Sequence, residues 1–308
     1  MKLIQPDASS TDVLYHNIQK ERKYADNPLL SLHRVEELYE ISHDLLDASF
    51  TEAIKRDFAA RYSEMYFASA LRHRLRFNLE HPSDKGPDLF IKDLNCWAEI
   101  TTVRDGIPGS ENSVPRAVLG TATSFPERQV ILRLTSVFSD KARKIKSYLD
   151  EGIIQPQQKV IICISGGWMS RPFPLQPVGS YPQIVKALLP IGDLVVWINR
   201  ETKEITGRDH KYREGVNKIT SEGDKTIPTA FFLKPEFSFV SGVLYSYVNA
   251  FNSVELDKLG CDFSFIHNPL AHNKVEPGSI RCGQEYIISS EADSFTMRPV
   301  VDHEESNS

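Results

Sequence analysis

The order in which residues 51–165 switch between helical and extended patterns limits the possible folds more than any other feature. Ile54, Phe58, Tyr62, Met65 and Ser69 recur on one face at helical spacing, which predicts a helix from an N-cap at Thr51 to about Arg76. His81-Pro-Ser-Asp-Lys-Gly-Pro then reads as turn chemistry. Two short strands are predicted at 88–91 and 96–103, joined as a hairpin through the polar residues 92–95. A helix over 130–149 follows, preceded by a short strand at 129–134, and 160–164 (Val-Ile-Ile-Cys-Ile) is a continuous apolar strand. Helix, strand pair, helix, strand is the order of an α/β fold with a mixed central sheet flanked by helices.

The flanking segments are read more coarsely. Residues 1–30 are polar and mixed. Leu32, Val35, Leu38, Ile41, Leu45 and Leu46 then make a helical stripe over 29–48. Residues 104–127, rich in Gly, Pro, Ser and Thr, predict a long loop. Beyond the apolar strand come a Gly-Gly-Trp and Pro-rich loop, a helix at 181–189 and a strand at 194–198. Residues 200–226 read as charged loop, and strand-like runs return at 230–233, 237–247, 263–267 and 285–288. This divides the chain into an N-terminal helical arm (1–50), a core (51–200) and a C-terminal extension of the sheet (201–308) ending in a disordered acidic tail.

The 308 residues are 41% hydrophobic, enough for a sizeable core. No stretch approaches the roughly 18 apolar residues of a membrane span, and the start MKLIQPDASSTD lacks a signal peptide's apolar centre. Cys96, Cys163, Cys261 and Cys282 are scattered without a CxxC pair, which predicts buried reduced thiols and a cytoplasmic location. A net charge of −5 argues against a surface that grips nucleic acid everywhere, but not against a local basic groove.

The residues with chemical promise cluster in the core. Asp88 opens the first hairpin strand. Glu99 lies in the second, where strand parity puts Trp97, Glu99, Thr101 and Val103 on one face. Two carboxylates brought together across a hairpin repel unless a cation joins them. Glu64 flanks the apolar face of the preceding helix, and Lys141 falls within the apolar stripe of the following one. A lysine in that position is costly unless it meets an anion.

Gly86-Pro87-Asp88 followed by Glu99-Ile100-Thr101 resembles the PD-x(n)-(D/E)-x-K motif of the PD-(D/E)XK, or restriction-endonuclease-like, nucleases, with Thr101 where the lysine is expected. The likeness covers roughly 51–165. Glu64 stands where many members carry an acid on the helix before the motif. Lys141 resembles a motif lysine moved to the following helix. The resemblance implies a restriction-endonuclease-like core with an N-terminal helical segment and extra C-terminal strands. It also implies a metal-dependent nuclease acting on nucleic acid, DNA more than RNA, in restriction, phage defence or repair.

On that reading Asp88 and Glu99 bind Mg²⁺ or Mn²⁺ with help from Glu64, Lys141 orients the attacking water, and Thr101 assists. No membrane partner is implied, and a homodimer is an open expectation. The missing strand lysine leaves an alternative: a degenerate member of the fold that binds nucleic acid or protein without cutting.

Other signals are weaker. His267-Asn268-Pro269 with His272-Asn273 reads as a strand-terminating turn, not a metal site. Gly166-Gly167 belongs to no phosphate-loop pattern. Arg72, His73, Arg74 and Arg76 form one basic patch, and Lys141, Arg143, Lys144 and Lys146 another, both suited to phosphate contacts.

Overall fold

The computed structural model describes residues 2–5, 9–24, 27, 31–81, 85–116, 118, 120–121, 124–170, 181–281, 283–290 and 295–300. Four helices come first: α1 (Val13–Lys20), α2 (Ser31–Ser42), the single turn α3 (Phe50–Ala53) and α4 (Phe58–Ser69), which runs on into a π turn at Ala70–Arg74. Strands β1 (Leu79–Glu80), β2 (Leu89–Ile91) and β3 (Cys96–Thr102) lead to the long helix α5 (Glu127–Asp150) and to β4 (Lys159–Ser165). Helix α6 (Gln183–Leu188) precedes β5 (Ile191–Ile198), β6 (Ile205–Tyr212), β7 (Gly215–Thr220) and β8 (Gly223–Pro228). The last strands are β9 (Gly242–Ser246), β10 (Ser264–His267), β11 (Gln284–Ser290) and β12 (Phe295–Val300).

Among the described residues eight strands form one mixed sheet in the order β1-β2-β3-β4-β9-β10-β11-β12. Its centre, β3-β4-β9, is parallel, and β1-β2-β3 is antiparallel. Side-chain alternation divides the interior into two cores. Cys96, Ala98, Ile100, Ile161 and Cys163 face the N-terminal helices, among them Tyr15, Leu38, Tyr62 and Phe67. Ile162 and Ile164 face Leu134, Phe138 and Ile145 of α5 and Ile184 and Leu188 of α6. The uninterrupted apolar run of β4 follows from this, since both of its faces are covered.

The α/β class with a large mixed sheet between helices holds; β9 lies at the centre of the sheet beside β4, and β10–β12 continue it to one edge. Several local expectations need correction. The helix expected to start at Thr51 is broken at 54–57 and restarts at Phe58, because the Asp57 side chain caps it by accepting the Ala60 N–H at 3.1 Å. No strand occupies 129–134, since α5 begins at Glu127. The expected charged loop at 200–226 instead forms much of two antiparallel hairpins, β5–β6 and β7–β8, separate from the main sheet. Alternating polar residues hide such ribbons from a reading based on burial. Phe231–Leu233 is a 3₁₀ turn, not a strand, with Phe231 and Phe232 packed on Phe138.

The N-terminal helices share the core of α4, and the expected boundary at 200 falls in the turn between β5 and β6. Cys96 and Cys163 are buried free thiols, but Cys261 is exposed; Cys282 and the acidic tail lie outside the described residues. Among the described residues no helix is long and apolar enough to cross a membrane.

One carboxylate fastens the N-terminal segment. Asp12 Oδ1 accepts the N–H groups of Leu14 (2.7 Å) and Tyr15 (3.2 Å), capping α1, while Oδ2 accepts the Phe58 N–H (2.9 Å) at the start of α4. Asp12→Ala removes both contacts and is expected to cost about 1–3 kcal/mol. Urea unfolding of the two chains measures the difference.

Candidate active site

The site is built where β2, β3, α4 and α5 meet. Gly86 has φ +142°, a conformation that other residues rarely adopt, and it directs the chain through Pro87 into Asp88. The hairpin turns through a 3₁₀ segment at Lys92–Leu94 and a left-handed Asn95, fixing Leu89 opposite Ala98. One residue beyond that pair, Asp88 Oδ2 accepts the Ile100 N–H at 2.5 Å. Asp88 is thereby held beside β3 at the point where β2 begins.

Glu99 is fully buried, on the α5 face of β3. Its Oε1 accepts from Lys141 Nζ at 2.5 Å and from Lys144 Nζ at 2.9 Å. The two lysines are three residues apart on α5 and project from one side of it. Glu99 Oε2 is buried and has no hydrogen-bond partner among the described residues. Burying a lone carboxylate would cost several kcal/mol, so the two ammonium groups make the position tolerable.

The electrostatics follow from this geometry. Burial and the Glu99 charge push the Asp88 carboxyl up to about 6, against the Ile100 N–H and the two lysines. Burial alone would depress the Lys144 ammonium, but its bond to Glu99 outweighs that and raises its proton affinity. Lys144 also lies 5.3 Å from the centre of the Tyr148 ring.

Glu64 is on the other side of the sheet. It lines a small cleft with Asp88, Ile100, Asp47, Arg61 and His81, and its Oε2 accepts from Arg61 at 2.8 Å. Burial pushes its carboxyl up to about 8 despite Arg61, helped by the charges of Asp88 and Asp47. Asp88 thus lies between two acids, Glu99 toward α5 and Glu64 toward α4.

Of the five residues singled out in the sequence, Asp88, Glu99 and Lys141 are brought together. Glu64 shares a cleft with Asp88 and feels its charge, but bonds to Arg61 and not to the group. Thr101 lies on the Glu99 face of β3 opposite Ile164, and among the described residues no hydrogen bond ties its hydroxyl to the others. Among the described residues no three His, Cys, Asp or Glu side chains converge on one ion position.

Lys144 is the residue the sequence reading left unassigned. It stood in the basic patch after Lys141, and its i+3 spacing from an inward lysine was the available signal. The other basic patch is partly structural, since Arg72 makes two bonds to Asp44, at 2.5 and 3.0 Å. His267 closes β10 in a buried contact with Glu285 (2.7 Å), and His272 bonds Ser238, so the two histidines do not share a site.

No family model matches the chain, nor does any curated protein or solved structure.

The raised Asp88 value has a consequence for stability. The folded chain holds this proton more tightly than the unfolded chain, whose aspartate titrates near 3.8. As pH rises from 3.8 to about 6 the unfolded state ionises first, so the native state loses stability. Asp88→Asn removes the ionisation and can still accept the Ile100 N–H. The stability of Asp88→Asn relative to the parent is expected to improve across this window by about 1–3 kcal/mol and then level off. Chemical denaturation at stepped pH reads it directly, and a flat difference would contradict the buried acidic pair.

Proposed function

We propose that the chain is a metal-dependent nuclease with a restriction-endonuclease-like core, hydrolysing phosphodiester bonds of nucleic acid, DNA before RNA. One observation carries the reading: a fully buried glutamate on a central strand, next to Asp88, holds two lysines from the facing helix. Neither a packed core nor a solvated edge calls for that arrangement.

The carboxylates suit Mg²⁺ or Mn²⁺. Glu99 Oε2 is a buried oxygen with no hydrogen-bond partner among the described residues, and burial and the neighbouring Glu99 charge make Asp88 bind protons more readily than an ordinary aspartate. Hard divalent ions are commonly held by one or two carboxylates, with water and substrate phosphate completing the shell. Asp88 and Glu99 would hold the ion. When bound, it supplies polarisation of the phosphate and a lowered pKa for a water.

The remaining roles belong to the chain itself. Lys141 and Lys144 compensate the acidic pair at rest, and their ammonium groups can turn to a phosphate oxygen or hold the attacking water in place. In the reaction the attacking water releases a proton to solvent as its oxygen bonds to phosphorus, the phosphorus–oxygen ester bond breaks, and the leaving oxygen takes a proton from solvent. Glu64, with its raised proton affinity, is an acid on the α4 side that acts through Asp88. Thr101 is a hydrogen-bonding group on the same strand face.

A specific observation favours a second reading. Two ammonium groups already balance two carboxylates, so the cluster is neutral without a further cation. A member of the fold that binds nucleic acid or protein without cutting needs nothing more.

Calorimetry with Mn²⁺ separates the two readings. The nuclease reading expects binding that Asp88→Ala or Glu99→Ala abolishes, and plasmid cleavage lost in the same variants by at least about 100-fold. It also expects the affinity to fall as pH drops below about 6, where Asp88 keeps its proton. Absence of Mn²⁺ binding at neutral pH, or cleavage unchanged in both variants, would reject it.

A further inference from the structure

The β5–β6 hairpin stands apart from the main sheet and carries an unusual apolar surface. Val196, Trp197, Ile198 and Ile205 are 38%, 50%, 56% and 51% exposed. They lie within or opposite the run Leu-Val-Val-Trp-Ile at 194–198. So many large apolar side chains exposed on one short ribbon mark an interaction site more often than a solvated face. An isolated two-stranded ribbon is also marginal by itself in water.

The hairpin is firmly based. Lys186, nearly fully buried, bonds both carboxylate oxygens of Glu127 at the start of α5 (3.0 and 3.1 Å). Arg213, just past β6, bonds the same carboxylate and the Lys186 carbonyl. Trp197 is braced from below by Gly207, where a Cβ would come within 3.1 Å of the indole. The apolar end of the ribbon is therefore presented on a fixed support.

The two outer edges differ. β6 is guarded by Arg208, Asp209, His210 and Lys211, the usual protection of an edge strand. β5 has only Asp193 before its apolar run. Charge selects the partner. Residues 193–211 contain four acids (Asp193, Glu201, Glu204, Asp209) and four bases (Arg200, Lys203, Arg208, Lys211), all exposed. A balanced surface offers a polyanion little net attraction. Along the outer edge of β5 the charges sit at opposite ends, Asp193 at the base and Arg200 and Lys203 at the tip, a pattern that a two-fold makes self-complementary.

We propose that β5 docks on β5 of a second copy of this chain, antiparallel about a two-fold axis, with Trp197 and Ile198 buried at the centre. The antiparallel arrangement carries Asp193 at the base of one hairpin toward Arg200 and Lys203 at the tip of the other. The inference is independent of the nuclease reading.

Sedimentation equilibrium on the full chain tests it. The parent is expected at twice the chain mass of 34.9 kDa. Trp197→Glu is expected to weaken the dimer by about 30-fold or more, with the circular dichroism unchanged. A second measurement does not depend on that variant: an equimolar mixture of Val196→Cys and Asn199→Cys chains, the positions that this two-fold sets opposite each other, should cross-link chain to chain under mild oxidation, and the parent should not. A monomeric parent at high concentration, a dimer indifferent to Trp197→Glu, or no cross-link would overturn the proposal. So would a monomeric parent whose oligonucleotide binding is lost in Trp197→Glu, an outcome that would make the ribbon a nucleic-acid contact.

Discussion

The centre of this molecule depends on one buried carboxylate. Glu99 sits in the middle of β3 with no exposure, and its charge is tolerable only because Lys141 and Lys144 reach it from α5. This ties helix to sheet by an interaction that apolar packing alone would not provide. Replacing such a group with a hydrophobic residue of similar size is often neutral or stabilising. Its presence therefore has to be understood through chemistry more than through stability.

The acids around Glu99 form a graded series across the sheet. Asp88, buried and beside Glu99, rises to about 6, while Glu64, buried on the α4 side, rises to about 8. Their environments differ in kind. Asp88 is stabilised by a backbone N–H and two nearby ammonium groups, whereas Glu64 relies on a single arginine shared with Asp47. Pairs of acids whose surroundings push their proton affinities apart are a frequent basis for divided roles in catalysis. Here the division follows the sheet: one acid group faces α5 and its lysines, the other faces the N-terminal helices.

The periphery is organised on different terms. α5 begins at Glu127, whose carboxylate gathers Lys186 and Arg213 and so sets the base of the β5–β6 hairpin. In its second half the same helix supplies the lysines of the acidic site. One 24-residue helix thus connects the buried charge cluster to the projecting ribbon. Asn112 plays a similar part for the second hairpin, bonding both the N–H and the carbonyl of Ile219.

Much of the central architecture was legible in the chain itself. Periodicity located α4, α5, β3 and β4, and strand parity put Glu99 and Thr101 on one face, because these patterns record which side of an element is buried. A lysine within an apolar stripe was enough to point Lys141 at an anion. The sequence could not reveal that Glu99 is the anion Lys141 and Lys144 share, that Arg61 also reaches Asp47, or that residues 200–226 form ribbons. Those outcomes depend on which side chains meet across elements, and local spacing does not encode such distances. Residue types and their faces were determined by the sequence alone. Only the tertiary structure decided which charges came close enough to set one another's proton affinity.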